Sequence, residues 1–203
     1  MKPTLMIHEV REEMFELPLE DYTLTFDDGL YSQYYYFDRF KALKTQKIYF
    51  ISSDIVCTNQ TQSRAFTACS EAHAKAFAGN KEDFMTLAQI QELMQDPNVT
   101  IGAHGHLHKN LDSIPKLIHK VEHIKQDTEL MLEWFWDKLR IKPTAFCFPY
   151  NNDLDGMYRG LLKSYGFTEF YGRERIPIEK LLHDESQLGN LDTLTAWSLP
   201  RYF

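Results

Sequence analysis

Tyr22-Thr23-Leu24-Thr25-Phe26-Asp27-Asp28-Gly29 is the stretch on which the reading of this chain turns. Its first five residues alternate and are rich in aromatic and β-branched types, which predicts a short strand over 22–26. Two adjacent carboxylates follow where the apolar run stops, and Gly29 lets the backbone turn. Neighbouring acids repel, and ionising both in one place is costly unless a cation is shared. A metal resolves that conflict: one carboxylate binds it and the other stays free as a base. The plainer use of the same residues is a strand-to-helix turn with Asp28 or Gly29 near a helix N-cap. A histidine pair about 75 residues later tips the balance toward the metal.

The 203 residues are enough for one domain, 1–203, with a real core. No apolar run approaches the roughly 20 residues of a membrane helix, so stable membrane insertion is not expected. His8, Glu9, Arg11, Glu12 and Glu13 interrupt the N-terminus too early for a signal-peptide core, so a cytoplasmic protein is expected. Cys57, Cys69 and Cys147 form no even framework and suit reduced thiols. A net charge of -7 argues against a nucleic-acid partner.

Working outward, residues 4–10 are mostly apolar and predict a first strand or edge segment. Tyr34, Phe37, Phe40 and Leu43 recur every three residues and predict a helix over 31–44. The aromatic run Tyr34 to Phe37 reads as core packing in preference to a sugar-stacking platform. Lys47 to Ser52 reads as a buried parallel strand. Residues 53–83 are polar, with a helical stretch over 64–78, and read as an insertion over one rim. Thr86 caps a helix over 87–95, which Asp96-Pro97-Asn98 ends. Val99 to Ala103 is the next strand and runs straight into His104-Gly105-His106-Leu107-His108. A long amphipathic helix over 113–140 follows, with Pro115 in its first turn. A strand over 144–148, a helix over 154–165 and a strand over 167–171 complete the pattern; the tail yields no clear element. Short strands alternating with helices predict an α/β domain with parallel strands, as a barrel or an open sheet.

In both architectures, sites collect at the C-terminal ends of the strands. Asp27-Asp28, His104 to His108 and Pro149-Tyr150 all meet that condition. His104 and His108 are four apart, so a turn of helix or a tight loop can aim both at one ion. With Asp28 they make a two-histidine, one-carboxylate set suited to zinc or another divalent transition ion. With eight histidines in the chain, chance alone gives roughly 0.3 pairs at this spacing, so the pair counts only in combination. His119 and His123 form a second pair, on the polar side of the long helix, and read as a solvated face. His106 reads as a supporting or exposed residue.

Thr25-Phe26-Asp27-Asp28-Gly29 resembles the first motif of the NodB-like polysaccharide deacetylases, carbohydrate esterase family 4. His104-x-x-x-His108 after Ile101-Gly102 resembles the second, and Phe146 to Asn151 the third. The opening Met6-Ile7-His8-Glu9-Val10 is similar to the segment that often starts such domains. The resemblance covers most of residues 4–175. It implies a distorted (β/α) barrel with fewer than eight regular strands. By position, it assigns Asp28, His104 and His108 to one divalent metal, most naturally zinc. It makes Asp27 the general base, gives the oxyanion to the backbone N–H of Tyr150, and offers His183 in Leu181-Leu182-His183 as the general acid. The third motif departs from the pattern: Cys147 stands where an arginine often orients the base, and Asn151 replaces a glycine. The implied activity is removal of an N-acetyl group from a sugar. A cytoplasmic location points to a nucleotide-linked or lipid-linked precursor of surface polysaccharide. The alternatives are a catalytically degraded relative that binds a glycan or partner, and a related amidohydrolase or deformylase.

Overall fold

Seven parallel strands close into a barrel in the computed structural model, which describes residues 2–58, 62, 67–176 and 199–202. The strands are β1 (Thr4–Ile7), β2 (Thr23–Phe26), β3 (Lys47–Ile51), β4 (Val99–Ala103), β5 (Ala145–Cys147), β6 (Glu169–Ile176) and β7 (Leu199–Tyr202). They lie in chain order, and β7 returns to pair with β1. The barrel is distorted in two places. β4 and β5 are joined by a single residue pair, Ala103 with Phe146, and the β6–β7 register shifts between Tyr171 and Arg175. The expected barrel of fewer than eight strands is what forms. β7 falls in the tail, where the sequence pattern gave no element.

Burial along their whole length explains why β1, β3 and β5 are short, mostly apolar runs. Tyr49 and Ile51 join the large core between barrel and helices, with Phe26, Phe40, Leu93 and Phe135. Ile48 and Phe50 alternate to the other face and pack with Ala145, Cys147 and Tyr171. Gly102 marks a close approach on β4: a Cβ there would lie 2.6 Å from the Phe50 ring and 3.2 Å from the Ala145 carbonyl oxygen. One charge is buried in this framework. Lys47 is 0% exposed, and its Nζ reaches the carbonyls of Leu43 and Thr45 at 3.1 Å and Asp96 Oδ2 at 3.3 Å.

The helices follow the pattern with shifted ends. The helix expected over 31–44 is broken into α1 (Tyr31–Tyr35) and α2 (Phe37–Lys41) by Tyr36, whose φ of -97° and ψ of 13° leave the helical region. The break lets Phe37 and Phe40 reach the core while Tyr35 stays exposed. α3 (Cys69–Phe77) comes from the polar 53–83 stretch. α4 (Leu87–Leu93) carries the expected Thr86 cap, completed as a capping box by Gln89. α5 (Leu117–Leu139) starts after Pro115, because Leu111–Ser113 forms a separate short turn capped by Asn110. Leu117 and Ile118 at its start are exposed despite their apolar spacing. α6 (Met157–Ser164) follows β5. His183 lies outside the described residues. Among the described residues, no helix is long and apolar enough to cross a membrane.

Candidate active site

The C-terminal ends of β2, β4 and β5 meet at one mouth. Asp27 and Asp28 follow β2 and are both buried. Asp28 and Gly29 adopt consecutive left-handed conformations, φ 73° and 81°. This is a turn that Asp tolerates better than most residues and Gly adopts without strain. The loop after β4 brings in His104 and His108. Gly105, at φ 78°, allows the loop to fold against α5, where Asp127 accepts the amides of His106 at 2.7 Å and Leu107 at 2.8 Å. His104 Nδ1 donates to the Cys147 carbonyl at 2.8 Å. A carbonyl only accepts, so the Nε2 of a neutral His104 carries the lone pair.

Asp28 is the centre of the cluster. Its Oδ1 lies 3.2 Å from His104 Nε2 and 3.0 Å from His108 Nε2. Its Oδ2 lies 3.3 Å from His73 Nε2 and accepts the Cys69 thiol at 3.2 Å. Burial pushes the Asp28 carboxyl pKa up, but His108, His104 and His73 around it outweigh this and hold it well below the usual carboxylate range. Burial pushes His104 down, yet Cys147 and Asp28 beside it win, and it sits well above the usual histidine value. Burial dominates at His108 and favours its neutral form.

The imidazole contacts to Asp28 are close without being aligned hydrogen bonds. Asp28 Oδ1, both ring nitrogens of His73 and Nδ1 of His108 are buried and have no hydrogen-bond partner. Leaving such atoms unsatisfied costs about 1–3 kcal/mol each. A divalent cation would draw on the carboxylate and imidazole lone pairs together, so the donor set fits a transition ion. Donor atoms of Asp28, His73 and His108 all lie within 4.8 Å of one another. So do those of Asp27, His104 and Cys147, and those of His8, Asp28 and Cys69.

Asp27 sits in the same mouth with different neighbours. Its Oδ2 accepts the Cys147 thiol at 3.4 Å and lies 3.9 Å from His8 Nε2. Its amide donates to the Ile7 carbonyl, and its own carbonyl accepts Gln33 Nε2 at 2.6 Å. Gln33 Nε2 also holds the His8 carbonyl at 2.7 Å, which ties the ends of β1 and β2 together. Tyr150 follows β5 at φ 56°, half exposed, with its ring 5.0 Å from that of His108. The cleft that opens over both acids has a volume of 790 Å³, with Phe77 and Tyr150 among its walls.

The structure therefore brings Asp27, Asp28, His104, His108 and Tyr150 together. His106 turns aside, its Nδ1 2.8 Å from Ser53 Oγ, and borders a separate groove of 860 Å³ with Tyr34, Glu92 and Trp134. His119 is exposed. Four contributors escaped the sequence reading: His8, Cys69, His73 and Asp127. Cys69 and His73 carried a usable signal, since they are four apart on a helical stretch.

No family model matches this chain, and no curated protein sequence matches it. Solved structures do. IcaB from Ammonifex degensii superposes with a TM-score of 0.63 at 17% identity, over 85% of this chain and 83% of that one. A de-N-acetylase from Aggregatibacter actinomycetemcomitans gives 0.62 at 16% identity, over 84% and 87%. The deacetylase PplD of Streptococcus pyogenes, solved in complex with acetate, gives 0.54 at 14%, over 79% and 80%. This chain has the fold of the NodB-like polysaccharide deacetylases. In this NodB-like barrel the paired acids and the histidines occupy the strand-end mouth, where parallel α/β folds concentrate their chemistry.

Proposed function

We propose that this chain is a metal-dependent hydrolase that removes the N-acetyl group from a sugar. The observation that carries the reading is the division between two adjacent buried acids. Asp28 has the Nε2 atoms of His73, His104 and His108 at 3.0–3.3 Å, while Asp27 opens on the same cleft with the Cys147 thiol at 3.4 Å and His8 Nε2 at 3.9 Å from its Oδ2. That is the arrangement of one ligand and one base. The fold shared with a de-N-acetylase, and with a deacetylase solved with acetate, supports the same reaction class.

Asp28, His104 and His108 would hold the ion, and their nitrogen and carboxylate donors favour zinc. When bound, a divalent ion polarises an acyl carbonyl and acidifies water. Asp27 takes the proton from the attacking water. The Tyr150 amide donates to the oxygen that gains charge, and His183 is assigned to the leaving amine. Phe77 and Tyr150 offer apolar faces to a sugar ring at the cleft wall. The cleft volume falls in the range that takes a small ligand. This suits a short substrate such as a nucleotide-linked or lipid-linked precursor.

A second reading has one observation in its favour. The group beside Asp27 in the third motif is the side chain of Cys147, where an arginine often stands, and a domain of this kind that only binds a glycan would tolerate that. Zinc-loaded protein incubated with N-acetylated monosaccharides, nucleotide sugars and short oligosaccharides separates the two. Acetate release that Asp27→Asn abolishes supports the hydrolase. Glycan binding with bound zinc and no acetate or formate from any of them would replace it with the binding domain.

A further inference from the structure

We propose that His73 is a fourth protein ligand of the ion held by Asp28, His104 and His108, making the centre a three-histidine, one-carboxylate site. The inference rests on the metal-dependent reading above and extends it to a residue outside the three motifs. His73 comes from α3, which leaves the polar 53–83 stretch and lies across the cleft.

His73 is 7% exposed, yet neither of its ring nitrogens has a hydrogen-bond partner. An imidazole buried to that degree needs a partner for at least one nitrogen. The group its Nε2 approaches is Asp28, at 3.3 Å from Oδ2. That oxygen already accepts the Cys69 thiol, and the His73 contact is not aligned as a hydrogen bond. The ring is fixed by packing. It stacks on His108 with centroids 4.3 Å apart and 22° between planes, and meets Phe84 edge-on at 5.4 Å.

The spacing suits coordination. Zinc bonds of about 2.0–2.1 Å place the donors of a tetrahedron about 3.3 Å apart. The Nε2 atoms of His108 and His104 stand 3.0 and 3.2 Å from Asp28 Oδ1, and that of His73 stands 3.3 Å from Oδ2, so the two oxygens of the one carboxylate face all three rings. The donor atoms of His73 and His108 lie within 4.8 Å of each other and of Asp28. Cys69, four residues earlier on the same face of α3, donates its thiol proton to Asp28 Oδ2 and would hold that carboxylate in place.

X-ray absorption on the zinc-loaded native protein counts imidazole ligands directly. Three in the native chain and two in both His73→Ala and His73→Gln are expected, together with a fall in zinc affinity of about 10-fold or more in chelator competition. A changed visible spectrum of the cobalt-loaded variant is expected as well. Cys69→Ala should keep three imidazoles. Thermal melts of the metal-free variants matching native protein establish that they fold. A native count of two overturns the proposal while leaving the three-residue metal site intact. A native protein that binds no zinc or cobalt overturns the metal reading itself, and this proposal with it.

Discussion

The carboxylate of Asp127, on α5, accepts the backbone amides of both His106 and Leu107, at 2.7 and 2.8 Å, and so fixes the loop that carries His104 and His108. The two histidines are aimed from a long helix that supplies no ligand itself. Charge-assisted bonds of this kind contribute about 1.5–3 kcal/mol each. Asp127→Ala is expected to lower zinc affinity by about 10- to 100-fold, as loss of a residue that orients metal ligands does. Chelator competition at fixed pH measures it. Unchanged affinity would mean the loop is held by other contacts.

Asp27 and Asp28 are adjacent in sequence and opposite in expected effect. Asp28→Asn should remove bound zinc, because Asp28 has the Nε2 atoms of His73, His104 and His108 at 3.0–3.3 Å. Asp27→Asn should retain zinc and lose turnover by about 100-fold or more, the typical contribution of a general base. Elemental analysis and acetate release on the same samples test both at once. Loss of zinc from both variants would assign Asp27 to the metal as well.

Proton and metal compete for His104. Its pKa in the metal-free protein is held well above the usual histidine value by Cys147 and Asp28 beside it, which favours a proton on the ring. Metal binding must displace it, and apparent affinity should rise with pH by up to about tenfold per unit until His104 is neutral. The same shift has a stability consequence. A raised folded-state pKa contributes stability that is present below the unfolded value and lost as pH rises through the folded one. Asp28 acts in the opposite sense: its lowered pKa contributes stability that is lost as pH falls. Zinc competition across pH 6 to 9, from about 0.5 unit below to about 2.5 units above the ordinary histidine value, measures the first effect. A flat profile would contradict the protonated His104.

The barrel and the two carboxylate and histidine motifs were legible because strand periodicity and strand-end position are local properties of the chain. Asp27, Asp28, His104 and His108 each sit directly after or near an apolar run, so their convergence follows from parallel topology alone. His73 and Asp127 were not legible. Each acts from a helix, and which face of α3 or α5 meets the mouth depends on packing that no local pattern encodes. The break at Tyr36 was hidden for a related reason: Tyr34, Phe37, Phe40 and Leu43 keep a helical period across it, and of the aromatic run Tyr34 to Phe37 only Phe37 is fully buried. β7 was missed because it closes the barrel by pairing with β1 and β6, a long-range relation.

Phe77 ends α3 on the cleft wall and is 59% exposed, an unusual place for a large apolar ring unless something covers it. Stacking a sugar on such a ring is worth roughly 0.5–1.5 kcal/mol beyond area burial. Phe77→Ala is expected to raise KM by about 3- to 10-fold, with kcat and zinc content unchanged. Steady-state kinetics on the best substrate test it. A fall in kcat with constant KM would move Phe77 from substrate binding to shaping the metal centre through its neighbour His73, whose ring lies 5.7 Å away.

Lys47 begins β3 with its ammonium wholly buried, 3.3 Å from Asp96 in the turn after α4. Two carbonyls complete its shell, and Asp96 also accepts the Asn98 amide at 2.9 Å. Desolvating both charges offsets most of their attraction, so the pair adds little net stability, but breaking it strands one charge in the interior. Lys47→Met is therefore expected to destabilise the fold by about 3–5 kcal/mol. Removing the second charge as well, in Lys47→Met with Asp96→Asn, should recover a large part of that loss, because the stranded carboxylate is gone. Urea unfolding of the native chain, the single variant and the double variant gives the comparison. A single variant within about 1 kcal/mol of native would show that Asp96 reaches water or another partner without Lys47. A double variant no better than the single would place the loss in the carbonyls of Leu43 and Thr45, which the ammonium also holds.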